Sequence, residues 1–555
     1  MTAMRARGVA ALVLIVSVAA CKKEGSSDSD ELPADFQPHL AAGDPAKLTM
    51  PAVMANVPAD TPYLFASVDA LPPELFAKLS KMVSAFSGLM SSAAQRGRDR
   101  NAVLDAALTE LDGKWSVAGL ESLGISDQPR FVIYGLGLQP MVVRLAVKDD
   151  KKIQATIERI AARAGEQLPP MVEMEGRRYW QQENDGNKLI IALGDNQVVV
   201  ATGKAADVNA KLRLILGLDK PAQNMADGAL LKQLMARHGL GGQLIGFGDT
   251  QRIVDQVTAV VSAPCKAEIA LLTWDVPRVL YGYGEMSSAK ISGALIVELD
   301  ADGIAALRSI KVEIPGLAAA LSGHPMLALA GGVDLVKAQQ LAIGVAGRVQ
   351  QLGTACDIGP LADGADRAAR ALARPLPDVA RQIAGGAMIV NDLAFPSGRA
   401  EGMPSKLEGV VMVSSRDARA VYDKLNALDP QIKSFAVATD GKLHDINLPI
   451  PVPSAISAGV SERAIVVTSG DKTRATAERL LAARGGGKAP LLAASYDIGR
   501  FLGFATQNAD LQTASEQDRA IAAAIGKMKD AFGHLSWALD VNSQGLAVWS
   551  TIELN

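Results

Sequence analysis

The side chains best suited to chemistry are few and scattered. Five histidines, at 39, 238, 324, 444 and 534, and three cysteines, at 21, 265 and 356, are spread over 555 residues. No two histidines fall within 80 residues of each other. A zinc site needs clustered nitrogen and sulfur ligands, as in HExxH or paired Cys/His spacings, and neither pattern occurs. The sequence therefore predicts no metal site and no bound cofactor.

Phosphate and nucleophile motifs fare no better. Arg484-Gly485-Gly486-Gly487-Lys488 has the letters of a phosphate loop. Such a loop must follow a strand and open a helix, so that free N–H groups point at the anion. Here the order is reversed, and the run reads as the glycine stop of a helix. Gly239-Leu240-Gly241-Gly242 has the same reading. GxSxG is absent, and Ser287-Ser288-Ala289-Lys290 fits SxxK only in a turn between two strands, where no helix presents the serine. No catalytic residue is assigned. Arg177-Arg178-Tyr179-Trp180 is the one basic-aromatic cluster, suited to stacking on a sugar or peptide or to an exposed strand edge. Pro449-Ile450-Pro451-Val452-Pro453 reads as a stiff connector.

Bulk composition narrows the class. Nearly half of the residues are hydrophobic (49%) but only 4% are aromatic, so aliphatic side chains carry the core. A net charge of -3 gives no basic face for nucleic acid. Cys265 and Cys356 would close a loop of about 90 residues, which a bridge would stabilise by about 4–5 kcal/mol in the chain-entropy picture. Two separate buried thiols are the alternative.

The N-terminus is the most specific signal. Arg5 and Arg7 are followed by an apolar run from Val9 to Val18 and then by Val18-Ala19-Ala20-Cys21. The run is too short to span a bilayer, which takes about 20 apolar residues, and its flanks are those of a removable signal. The pattern resembles the lipobox of bacterial lipoproteins. That resemblance implies cleavage before Cys21, lipidation of Cys21 and an exported, membrane-anchored body. Lys22 in the next position, by similarity to Gram-negative sorting, implies the outer membrane. Residues 1–20 are then a signal peptide. Residues 21–50, polar and proline-containing, are expected to be a disordered tether.

The elements that position everything else recur. Val142-Val143-Arg144-Leu145-Ala146-Val147-Lys148-Asp149 precedes a helical stripe of Ile153, Ile157 and Ile160. At an offset of 268, Val410-Val411-Met412-Val413-Ser414-Ser415-Arg416-Asp417 precedes Val421, Leu425 and Leu428. Val198-Val199-Val200 recurs as Ile465-Val466-Val467 at an offset of 267, and Ala294–Asp300 parallels Trp549–Asn555 at 255. Residues 51–315 and 316–555 are read as two related halves. Strands ending in Asp69, Asp249, Asp334 and Asp497 each lead into a helix, where a carboxylate caps free N–H groups. Val198 to Val200 and Ile465 to Val467 read as buried on both faces. Hairpin turns at Asp185-Gly186, Asp195-Asn196, Gln139-Pro140, Asp440-Gly441 and Asn542–Gly545 make the strands antiparallel. The expected fold is α+β, each half an antiparallel sheet with helices mainly on one face.

These readings point to a non-enzymatic, lipid-anchored module of the cell envelope. It would meet the membrane through its N-terminal lipid and act as a binding or structural module toward an envelope protein or an apolar ligand. A carrier of lipid or another apolar ligand is the alternative, and an unrecognised enzyme the third.

Overall fold

The computed structural model describes residue 36 and residues 44–80, 102–258, 261–395, 404–428, 435, 437–446, 454–485, 488–507, 526 and 529–555. The leader, Cys21, Gly486-Gly487 and Pro449–Pro453 lie outside the described residues. The fold is mixed α and β. Its strands are β1 (Tyr63–Ser67), β2 (Phe131–Gly135), β3 (Met141–Ala146), β4 (Val172–Met174), β5 (Arg177–Asn184), β6 (Asn187–Gly194), β7 (Gln197–Lys204), β8 (Ile245–Asp249), β9 (Arg278–Met286) and β10 (Lys290–Glu298). They continue with β11 (Leu327–Gly332), β12 (Ile383–Ala394), β13 (Lys406–Ser415), β14 (His444–Ile446), β15 (Ile456–Val460), β16 (Ala464–Ser469), β17 (Leu492–Asp497), β18 (Phe532–Val541) and β19 (Gly545–Leu554).

All described pairings are antiparallel, and they link the strands into one sheet. From one edge to the seam the order is β4-β5-β6-β7-β3-β2-β1-β8-β9-β10. From the other edge it is β14-β15-β16-β13-β12-β11-β17-β18-β19. β10 then pairs with β19 from Lys290↔Glu553 to Glu298↔Gly545, closing the seam. The expectation of separate sheets is corrected here. A final strand left unpaired would expose a row of backbone donors and acceptors, and each of these two strands satisfies the other.

Turn chemistry follows the sequence. Asp195 and Asn196 both take positive φ, 54° and 55°, and turn β6 into β7. Such a two-residue turn matches strand twist and favours Asn and Asp. Several helices start where a carboxylate meets them. Helix α1 (Asp150–Ala164) is capped by Asp149, and α2 (Leu230–His238) ends at Gly239 in the left-handed region (φ 63°). Asp249 caps α3 (Thr250–Val257), which leads to α4 (Ala263–Asp275). Asp334 caps α5 (Leu335–Ala355), which is followed by α6 (Gly359–Leu372). The remaining helices used below are α7 (Ala418–Leu428), α8 (Asp471–Ala482) and α9 (Ile498–Gln507). Asp497 accepts from Arg500 N at 2.8 Å in the first turn of α9. Asp69 departs from the expectation. It accepts from Ala70 N, while Leu71 and Pro72 keep the helix from starting at once.

Two main cores lie against one face of the sheet, called the first face. The first core joins Leu64, Val132, Tyr134, Ile190, Ile245 and Leu280 to Leu231, Leu234 and Met235 of α2. The second joins Ala328, Ile389, Val410 and Val466 to Ala477, Leu480 and Leu481 of α8. Each such fully buried aliphatic side chain contributes about 1.5–3 kcal/mol. Helices also pack on the second face, contrary to the one-face expectation. Ile153 and Ile157 of α1 cover Trp180, Leu193 and Val198, and Tyr422 of α7 covers Ala458 and Val460. The amphipathic stripes of α1 and α7 need an apolar surface, and the outer strands offer one there.

Val312 and Ile314 pack into the second core. The expected tether over 21–50 is partly packed. Phe36 is buried in the second core, Leu48 and Met50 pack on the first, and Lys232 donates to Ala46 O. Apolar side chains within a polar segment dock where a core is open to them.

Candidate functional site

Between α1 and α7 the second face of the sheet presents an apolar surface. Strand alternation puts every second side chain there, and the register aligns these side chains into two rows that run across the strands. One row reads Val143, Ile133, Phe65, Gly246, Tyr281, Leu295, Val548, Leu539 and Leu492, each paired directly with the next. The other reads Val467, Val411, Met388, Leu329, Ala494 and Trp537. Much of this surface is open. Leu295 is 44% exposed, Val411 48% and Val467 41%. The sequence reading of Ile465–Val467 as buried on both faces is therefore corrected at Val467. Its flank is not covered by α7, which sits over Ala458, Val460 and Ile465 instead.

Aromatic rings fill one end. Phe65 lies 6.0 Å from Phe131 and 6.2 Å from Tyr281, and Tyr281 meets Tyr283 edge-on at 5.6 Å. Tyr281 donates its hydroxyl to Tyr283 at 2.8 Å. Burial, with that hydrogen bond, raises the Tyr281 pKa, and burial raises that of Tyr63. Both phenols are therefore neutral under ordinary conditions. Gly246 and Gly248 leave a notch between the rings, and a Cβ at Gly246 would meet Phe65 Cδ2 at 2.8 Å. Ile253 of α3 overlooks this notch, and together they bound an apolar cavity of about 310 Å³. Its volume falls at the low end of ordinary ligand pockets, which run about 300–1,000 Å³.

Charged groups cluster at the end of β10, on the first face. Glu298 (5% exposed) sits 2.8 Å from His238 Nε2, and Arg278 and Arg237 each reach it at 3.3 Å. Burial opposes the Glu298 charge, but the His238 hydrogen bond and the arginines outweigh it and leave the pKa below the usual carboxylate range. Asp249 lies 3.6 Å from Arg278 and is held by its capping bond to Arg252 N. The cluster ties α2, β8, β9 and β10 together, and it borders no cavity described above. A larger polar cavity of about 620 Å³ lies beside α9. Its Asp497 caps that helix and its Asp392 is bound by Lys406 at 2.6 Å. Among the described residues no group of three His, Cys, Asp or Glu side chains is placed to hold a metal ion.

The residues singled out by sequence fall as follows. Cys265 and Cys356 are joined by a disulfide, with Cα atoms 4.5 Å apart, linking α4 to the end of α5. In the basic-aromatic run, Tyr179 is buried in the first core and Trp180 under α1, while Arg177 pairs with Asp195. Its rings face inward and offer no stacking platform. Ser287 accepts from Lys290 N within the β9–β10 turn. Arg484 and Gly485 follow α8, but the helix ends at Ala482 with an extended Ala483 as its cap, so Gly485 is not the glycine stop expected. Sequence reasoning missed Arg144, which is 2% exposed. Its Nε donates to the Tyr134 hydroxyl at 3.0 Å and its Nη2 to the carbonyls of Leu214 and Ile215, at the end of the short helix Leu212–Leu216 beside the first core. Its place inside an apolar strand was the only available signal.

Comparison with known proteins finds no matching family model, no matching curated protein and no matching solved structure.

Proposed function

We propose that this chain is a non-enzymatic binding module of the bacterial envelope, anchored by lipid on Cys21 in the outer membrane. Its binding surface, on this reading, is the apolar second face of the sheet. The observation that carries the reading is the pair of apolar rows, one of which crosses the seam at Leu295↔Val548, that stay partly open to solvent. Contiguous exposed apolar surface of this kind is rare on monomeric proteins and marks interaction sites. The anchor rests on Arg5, Arg7 and the Val18–Cys21 signal. Among the described residues no helix is long and apolar enough to cross a membrane.

The body is read as a duplication. Both sides of the seam follow one strand order, and β1, β2, β3, β7, β8, β9 and β10 correspond to β11, β12, β13, β16, β17, β18 and β19. Val142↔Ala201 in one half corresponds to Val410↔Thr468 in the other. Asp249 and Arg252 correspond to Asp497 and Arg500 at an offset of 248. Arg252 donates to the carbonyls of Ala59 and Thr61 ahead of β1, and Arg500 to that of His324 ahead of β11.

The alternative, a carrier of lipid or another apolar ligand, is favoured by the aromatic notch at Phe65, Gly246 and Tyr281. Native mass spectrometry of the full chain carrying Cys21→Ser separates the two readings. Co-purifying lipid that Gly246→Leu abolishes supports the carrier. Lipid-free protein that crosslinks to another envelope protein through position 295 supports the module. Failure of both overturns the binding surface.

A further inference from the structure

A second site, of opposite character, lies where residues 311–315 meet the start of α5 and strands β12 and β13. A cavity of about 250 Å³ is walled by Lys311, Lys337, Arg416, Arg463 and Lys488, against two carboxylates, Asp334 and Glu313. Asp334 is already committed: it caps Lys337 N at 3.1 Å and pairs with Arg416 at 2.7 Å. Lys311 is satisfied by Asp540 at 2.5 Å. Among the described residues neither Arg463 nor Lys488 has an acidic partner within 4 Å; Glu313 stands opposite Lys488 in a backbone bridge, so the five cations of this wall outnumber its two carboxylates. Ser414, 1% exposed, also lines it and brings a buried hydroxyl to the same space.

The chemistry of this wall selects its ligand. Guanidinium forks and ammonium groups around one concavity attract oxyanions, and the arginines can each give two parallel hydrogen bonds. A cleft in which one sign of charge predominates focuses the field and raises the local anion concentration. The volume is below the usual range for drug-sized ligands, which limits the bound group to something small. We infer that this cavity binds a phosphoryl group, in which Arg463 and Lys488 supply the charge and Ser414 a hydroxyl hydrogen bond. The group can be a free phosphate or the headgroup of an anionic lipid.

The test uses the full chain carrying Cys21→Ser, titrated calorimetrically with inorganic phosphate and with pyrophosphate. The expected result is saturable binding that weakens at least tenfold in Arg463→Gln/Lys488→Gln. Arg463→Lys/Lys488→Arg should retain it. Both positions are on the surface, and the charge-preserving pair controls for any disturbance of the fold. Cosedimentation with phosphatidylglycerol-containing vesicles then distinguishes the source. Vesicle binding that phosphate displaces assigns a lipid headgroup, and phosphate binding without vesicle binding assigns the free anion. No phosphate binding by the parent chain, or equal binding by the Arg463→Gln/Lys488→Gln form, overturns the site.

Discussion

Ala294 of β10 stands directly opposite Trp549 of β19, and both face the first core. On the proposed duplication the two residues occupy equivalent places, 255 apart in sequence. A position that meets its own counterpart across an antiparallel seam is the geometry of a local two-fold axis. Isologous dimer contacts have the same self-complementary form. The neighbouring pairs obey the same relation: Leu295↔Val548 lies on one side of this pair and Gly293↔Ser550 on the other.

The seam should be intolerant at its end. Gly545 pairs with Glu298, has φ 149°, and a Cβ there would lie 2.0 Å from Val297 O. Gly545→Ala should lower unfolding free energy by about 2–4 kcal/mol, combining backbone strain and overpacking. Gly186→Ala, also at positive φ but with open space around it, should cost about 1 kcal/mol. Urea unfolding of both variants checks the difference, and equal costs would mean that the seam is loose.

The disulfide between Cys265 and Cys356 spans 91 residues of sequence. Cys265→Ser/Cys356→Ser should lose about 2–5 kcal/mol, through a less constrained unfolded chain. The parent protein should take up no alkylating reagent at these positions until it is reduced. Ready labelling of the unreduced, folded protein would contradict the bridge.

Glu298 predicts an acid limb. Its folded pKa is depressed, so its ionised form stabilises the fold fully above the unfolded value, about 4.3. That contribution is lost as pH falls through the folded pKa. Glu298→Gln should destabilise by about 3–5 kcal/mol at neutral pH, because Arg278 and His238 lose a buried partner. The variant's stability should then fall less between pH 5 and pH 3 than the parent's, by roughly the contribution removed. Parallel pH dependences in the two proteins would assign the acid limb to other groups.

Local rules carried the sequence reading where they were sufficient. Asp249, Asp334 and Asp497 cap helices because a carboxylate after a strand satisfies free N–H groups, and Asp195-Asn196 makes its turn because both residues accept positive φ. The seam was not legible. Which strand lies beside β10 is a question of contacts some 250 residues apart in sequence, and alternation within β10 says nothing of its neighbour. The apolar face was hidden for a related reason. Val467 looks like core until α7 is seen to cover Ile465 and leave Val467 open. Arg144 was unreadable as core because its partners, the carbonyls of Leu214 and Ile215, come from a helix 70 residues later.

The open face of the sheet is the proposed binding surface. Leu295, Leu329 and Val411 are exposed enough, at 44%, 39% and 48%, that polar replacements leave both cores intact. The decisive measurement is equilibrium binding of a fluorescent apolar probe to the parent and to Leu295→Gln/Leu329→Gln/Val411→Thr. The predicted result is at least tenfold weaker binding with an unfolding midpoint unchanged. A parent that binds no probe, or a triple variant that binds it equally well, would contradict the claim that this face is the binding surface.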